Sequence, residues 1–458
     1  MKLLRNAMLA VCAAGLPLAA AAQAPVLTTF PVGTATVTAS ALTTNLSHVW
    51  ELVWGPDNFL WMTERGGRIS RVNPANGEVV PLLAVPDVTP IGESGLLGMV
   101  LHPDFAITPH VFVVYNYTDA GSLKEKVVRY TYSATANSLT APVVLLGNIP
   151  ATTTHSGSRL LILPDRTLLM TTGDAQLLPE AQSRASLNGK ILRLNLDGTV
   201  PADNPVAGSL IYTLGHRNAQ GLVRLPDGRL YSSEHGPSND DEINKIEPNR
   251  NYGWPNVEGA CNTPGELAFC AANNVREPLT TWTPTIAPAG LTYYDHPAIP
   301  GWRGSLLLAT LKNQQLVQLS LNPAGDAITA RPTFATGAFG RLRAICVSPE
   351  GRVYLGTSNG SSDRIIVLEN RAFVASATRA TNAFAFDLFP NPARRQATLR
   401  LPMANARVTV RDLLGRAVLT LQPAGTTATL DLSGLKPGSY SVQVEGGAGS
   451  ATRQLVVE

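Results

Sequence analysis

Charge is scarce in this 458-residue chain: Asp, Glu, Lys and Arg make up 15% of it and balance to +3. A near-neutral chain with no Lys/Arg cluster interleaved with aromatics excludes nucleic acid as a partner. Long apolar runs are missing after the N-terminus, and nothing there approaches the roughly 20 apolar residues of a membrane span. Cysteine is scarce as well, and of the four, Cys12 lies in the N-terminal segment. Helical periodicity is nearly absent between Leu42 and Ala372, which turns the reading towards β-structure.

What the N-terminus does have is the layout of an export signal. Lys2 and Arg5 precede the apolar stretch Met8 to Leu18, and four alanines, 19 to 22, precede Gln23. Residues 1–22 are therefore expected to be a removable signal peptide, with the remainder exported and soluble. In an oxidising compartment a disulfide is expected between Cys261 and Cys270, which bracket the loop-like stretch GACNTPGELAFC. Cys346, between apolar neighbours in ICVSP, reads as a buried, inert thiol.

Short β-type runs separated by Gly, Pro, Asn and Asp fill the next 350 or so residues, and one pattern recurs. A turn carrying Pro and an acid, or Gly, is followed by an apolar strand, a turn and a second strand. Pro56, Pro103, Pro164, Pro226, Trp302 and Pro349 mark six occurrences, about 45 to 75 residues apart. Six irregular four-stranded units predict an all-β, six-bladed β-propeller over residues 23–374; the competing reading is a run of unrelated hairpins in a sandwich. Residues 375–385 lose the strand pattern and read as a linker. Residues 386–458 alternate again between Gly turns, as in ARVTVRDLLGRAVLTL, and predict a small C-terminal β-sandwich.

Polar residues gather where strands end in turns. They are His155 in THSGSRL, Asp174 in TTGDA, and His216, Arg217 and Asn218 in LGHRNAQGL. Three polar side chains in that last turn exceed what a turn needs. Lys312 follows a run that reads as buried. Arg341 and Arg343 alternate at period two, which puts both on one strand face and suits a bound polyanion. In EHGPSNDDEIN, the acids Glu234, Asp240, Asp241 and Glu242 fall within nine residues behind a Gly-Pro corner. Such a run is either a solvated loop or a site for a hard cation, since carbonyls freed at the corner and carboxylates are what calcium prefers.

Taken together, GESGLLGMVLHPDF, HSGSRLLILPD, TTGDA, NGKILRLNLDG, GHRNAQGL, EHGPSNDDEINKI, NYGWP, WTPTIAPAG, LKNQQL and GRLRAICVSPEG resemble the soluble aldose and glucose dehydrogenases that use pyrroloquinoline quinone (PQQ), in the glucose/sorbosone dehydrogenase superfamily of six-bladed propellers. The resemblance implies oxidation of the C1 hydroxyl of an aldose to a lactone, with the hydride passing to the quinone and electrons to an external acceptor. It implies that His155 is the general base, that Asp174 orients it, and that Arg217 and Asn218 bond the cofactor. Lys312, Arg341 and Arg343 match cationic anchors of its carboxylates. Glu93 would touch the cofactor where the glucose-oxidising branch has a glutamine. The backbone carbonyls of Gly236 and Pro237 would hold the Ca2+ that clamps PQQ, and Glu242 and Tyr252 match positions at a second, structural Ca2+. The WTPTIAPAG stretch is closer to the broad-specificity aldose branch.

FPNPA, VRDLLGRAV, LDLSGLKPGSYSVQV and the closing TRQLVVE resemble the type A sorting domain of type IX secretion in Gram-negative Bacteroidota. That implies the type IX machinery as a partner and a secreted or cell-surface protein. A carbohydrate-binding sandwich would use exposed aromatics that this stretch lacks. A homodimer is compatible with the sequence and not required by it. Two other classes compete for the large domain: a non-catalytic binding propeller of the same superfamily, and a calcium-dependent lactonase, which would draw acids and Asn from several blades to one central metal.

Overall fold

The computed structural model describes residues 24–373, 386–401, 403–412, 416–446 and 449–458. The expected signal peptide and the 375–385 linker lie outside them. The described residues fall into two compact units, one up to Phe373 and one from 386 onwards.

Six antiparallel sheets build the first unit. Their innermost strands are Val49–Trp54, Leu96–Leu101, Gly157–Ile162, Ala219–Arg224, Pro288–Tyr294 and Leu342–Val347. Each touches the next in that order, and the last touches the first. The approach is close: a Cβ on Gly98 would fall 2.1 Å from the Ser158 carbonyl oxygen of the neighbouring sheet.

All six repeat positions fall at the same place, the connection from the first to the second strand of a sheet. Local chemistry explains the recurrence. In the tightest of these turns an acid three residues after the strand folds back on the backbone: Asp165 Oδ1 accepts from Thr167 N at 3.0 Å and Asp227 Oδ1 from Arg229 N at 3.0 Å. Second strands such as Thr167–Thr172 and Ser305–Thr310 are buried at every position, because a sheet packs on both faces. Apolar side chains of successive sheets interlock, as Trp61 and Ile69 do with Met99, Val113 and Tyr130.

One of the two five-stranded sheets joins the two ends of the unit. Ala35–Leu46 pairs with Asp363–Glu369, bringing Thr38 opposite Glu369, and Val26–Val32 lies outside it. Asp363 fastens the seam: its buried carboxylate accepts from His48 N at 2.7 Å, Asn359 N at 2.6 Å, Gly360 N at 3.0 Å and Thr357 Oγ1 at 2.6 Å.

The disulfide between Cys261 and Cys270 forms, and Cys346 is buried, with burial pushing its thiol pKa up. The stretch between the bonded cysteines is not all loop, however. Pro264–Ala272 is an α-helix started by a capping box, in which Thr263 and Glu266 satisfy each other's backbone N–H.

In the second unit, Asp387–Phe389, Gln396–Arg400 and Thr427–Asp431 form one sheet. Ala417–Leu421, Arg407–Arg411, Gly438–Gly446 and Gly449–Val457 form another. Both sheets feed one apolar core, Leu399 and Leu430 from the first and Val408, Val442 and Leu455 from the second. Alternation along Gln396–Arg400, with Ala397 and Leu399 inside, follows the strand period.

Candidate active site

Two turns meet at His155. It sits just before the strand Gly157–Ile162, against Gly173-Asp174 at the end of Thr167–Thr172. A Cβ at position 173 would fall 1.8 Å from the His155 carbonyl oxygen, so only glycine lets the turns lie together. His155 Nδ1 lies 2.7 Å from Asp174 Oδ1. Asp174 is fully buried and also accepts from Gln176 N at 2.8 Å and from Trp254 Nε1 at 2.8 Å. A carboxylate so supplied with donors is an acceptor, which places the imidazole proton on Nδ1 and the lone pair on Nε2. Nε2 makes no hydrogen bond among the described residues. The ring is about one-seventh exposed, at 15%. His155 has a left-handed backbone, φ 58°, and its N–H donates to Glu93 Oε2 at 3.3 Å.

Glu234 pins the His216-Arg217-Asn218 turn. Its Oε1 accepts the backbone N–H groups of Arg217 and Asn218, and its Oε2 lies 2.9 Å from His216 Nδ1. His216 is spent on structure, reaching Thr213 Oγ1 at 2.8 Å and stacking on Tyr252 with ring centroids 4.6 Å apart. Arg217 and Asn218 differ. Arg217 donates Nη1 to the His235 carbonyl at 3.1 Å and lies over Trp254 at 5.3 Å, yet its Nε is buried without a partner among the described residues. Asn218 Oδ1 accepts from Gly157 N at 3.1 Å, while its Nδ2 is buried and likewise unpartnered among them. Buried unpaired donors are costly, and an acceptor-rich ligand would satisfy both. Burial lowers the Arg217 pKa against the opposing charges of Asp174, Glu234 and Glu93.

The cationic residues separate into buried and exposed members. Arg343 is buried, with Nη1 on Gln220 Oε1 at 2.7 Å, and burial lowers its pKa to about 10 against the opposing charge of Glu93. Arg341 is exposed and precedes the strand, whose register slips between Leu342 and Ala344. The expected pair on one strand face is thus corrected: Arg343 lies within the strand at the register shift and Arg341 lies before it, although the two remain electrostatic neighbours. Lys312 is exposed and donates to Thr285 Oγ1 at 2.8 Å. Glu93 is balanced by Arg217, Arg343 and Arg65.

Gly236, Pro237, Glu242 and Tyr252 line one cavity of about 20 Å³, together with Glu234 and Asp240. That is room for a single ion or water. Burial first, then the Glu234 charge, raises the Glu242 carboxyl to about 8. The Tyr252 hydroxyl is not aimed at this space: it donates to Lys245 O at 2.8 Å and accepts from Glu247 N at 2.9 Å, so only the ring and backbone of Tyr252 are left for the cavity. Among the described residues no three His, Cys, Asp or Glu side chains converge as a metal cluster, so a cation here would also draw on backbone carbonyls. The acidic run is not a freely solvated loop. Asp241 is buried and clamps Gly236 N at 2.9 Å, Ile286 N at 2.5 Å and Ala287 N at 2.7 Å.

Trp254, Arg65 and His235 were not singled out from the sequence as site residues, and Glu234 and Asp241 were read there only as acids of a solvated loop or a cation site. Glu234 ends the strand Leu230–Glu234, which is buried at every position, and a buried carboxylate needs donors. Burial lowers His235 to about 4, keeping it neutral, and its Nε2 has no partner among the described residues.

Residues 46–367 match the family described as Glucose / Sorbosone dehydrogenase, and residues 387–458 match the Secretion system C-terminal sorting domain. The quinoprotein glucose dehydrogenase B of Acinetobacter calcoaceticus is 34% identical over 396 residues, covering 68% of this chain and 82% of that protein. The PQQ-bound aldose sugar dehydrogenase structure from Streptomyces coelicolor superposes with a TM-score of 0.63 at 34% identity, over 73% of this chain and 98% of that one. The apo-form of the soluble aldose sugar dehydrogenase of Escherichia coli gives a TM-score of 0.67 at 29% identity, over 73% and 100% of the two chains.

Proposed function

The chain belongs to the glucose/sorbosone dehydrogenase family, and from that premise we propose that it oxidises the C1 hydroxyl of aldose sugars to lactones, using PQQ and Ca2+ and passing electrons to an external acceptor. We read the ring of six sheets as a six-bladed β-propeller over 23–374, and the two sheets of 386–458 as a β-sandwich. The sorting-domain match supports export by type IX machinery after removal of the 1–22 signal peptide.

One observation carries the catalytic reading: an imidazole held at Nδ1 by a buried carboxylate, with Nε2 unbonded, beside buried donors that have no partner. A C1 hydroxyl presented to Nε2 gives it the proton, and Asp174 stabilises the imidazolium that forms. When bound, PQQ supplies the two-electron acceptor for the hydride leaving C1. Arg217 Nε and Asn218 Nδ2 are the donors that fit its oxygens, while Lys312, Arg341 and Arg343 fit its carboxylates. Glu93, balanced by three arginines, borders this set and holds the His155 backbone. Carbonyls of Gly236 and Pro237, with Glu242 and the Tyr252 backbone, would hold Ca2+, whose chemistry is that of an orienting Lewis acid.

The test is reconstitution. Protein purified without cofactor should reduce a dye with aldoses only after PQQ and Ca2+ are both added, and His155→Ala should abolish the reduction. Failure to bind PQQ would contradict the reading and leave a secreted binding propeller.

A further inference from the structure

We propose that Trp254 is a positioning residue for the His155–Asp174 pair, acting through the second oxygen of the Asp174 carboxylate. Its effect on turnover rests on the dehydrogenase reading; its effect on the pair does not.

Asp174 Oδ1 is shared between His155 Nδ1 at 2.7 Å and the backbone N–H of Gln176 at 2.8 Å. Those bonds load one oxygen only, so a turn of the carboxylate about its Cβ–Cγ bond is resisted from one side. Trp254 Nε1 at 2.8 Å gives Oδ2 its donor and resists that turn from the other side. The indole can do this because it is itself immobile. Trp254 is 9% exposed, its backbone N–H donates to Gly215 O at 3.0 Å, and its backbone carbonyl accepts from Gln182 Nε2 at 2.6 Å. The Arg217 guanidinium lies 5.3 Å from its ring, and Trp254 also walls the small acidic cavity. Without the Nε1–H, Oδ2 would be a buried acceptor with no donor, free to rotate and compete for the bond to His155. The imidazole would then lose the fixed tautomer that keeps its lone pair on Nε2.

Trp254→Phe keeps an aromatic face for Arg217 and a wall for the cavity, and deletes only the donor. In cofactor-free protein carrying ¹⁵N-labelled histidine, the His155 Nδ1–H resonance, identified by its loss in His155→Ala, should shift and exchange faster with water. In the PQQ- and Ca2+-reconstituted enzyme, kcat should fall roughly ten- to a hundredfold, the loss of one hydrogen bond to a charged group, with KM and PQQ affinity little changed. An unmoved resonance or an unchanged kcat overturns the proposal. Should Trp254→Phe not fold, the Trp254 indole N–H resonance of the otherwise native protein decides: it should move in Asp174→Asn, and indifference to that change overturns the assignment. If wild type oxidises no aldose, the functional reading fails, and the cofactor-free spectra still judge this one.

Discussion

His155 owes its position to residues that contribute no chemistry, and Gly173 shows it most directly. With the His155 carbonyl 1.8 Å from where a Cβ would stand, Gly173→Ala must push the two turns apart. Overpacking of this kind costs about 1–3 kcal/mol. We expect the melting temperature of cofactor-free Gly173→Ala to drop and the His155–Asp174 resonance to be lost, both measured on one sample. Much of this site was legible in the chain, because His155, Asp174, Arg217 and Asn218 are polar residues at the ends of apolar strands. Trp254 and Asp241 were not legible. Their roles depend on partners 80 and 45 residues away that local spacing does not reveal. The arginine pair was half legible: the alternation is real in the sequence, but the strand begins at Leu342, after Arg341, and its register slips at Arg343.

Turns and strands were easier to read than helices and seams. Each turn that marks a repeat is built from adjacent residues, such as Pro164, Asp165 and Thr167, so its pattern survives in the primary structure. The helix Pro264–Ala272 was missed because none of its residues is buried, and an exposed helix carries no apolar stripe. Its one readable sign is the Thr263/Glu266 capping box. The helix is tied by the Cys261–Cys270 bond, which closes a short loop beside the acidic cavity, where Gly259 N donates to Glu242 Oε1 at 3.1 Å. Replacing both cysteines with serine should cost about 2–3 kcal/mol in urea unfolding. A change within error would show that packing alone holds this segment.

At the scale of the whole chain, closure of the first unit joins residues more than 300 positions apart, which no local pattern could announce. Asp363 is the fastening. Burial raises its carboxyl, but hydrogen bonds from Thr357, Asn359, His48 and Gly360 outweigh this and leave it below the ordinary value. A depressed carboxylate adds stability above its unfolded value, near pH 4, that is lost as pH falls through the folded value. Wild type should therefore lose melting temperature steeply from about pH 5 downward. Asp363→Asn should start lower at neutral pH and fall less; parallel curves would deny the seam this role.

In the proposed reaction this ring of sheets presents His155 and a set of unpaired donors to sugar C1. That reaction is tested most directly with glucose or another accepted aldose carrying deuterium at C1, supplied to the PQQ- and Ca2+-reconstituted enzyme at saturating acceptor. The account predicts lactone as the product and slower dye reduction with the deuterated sugar, both absent in His155→Ala. Reduction indifferent to deuterium together with a product other than lactone, or activity surviving in His155→Ala, would contradict it.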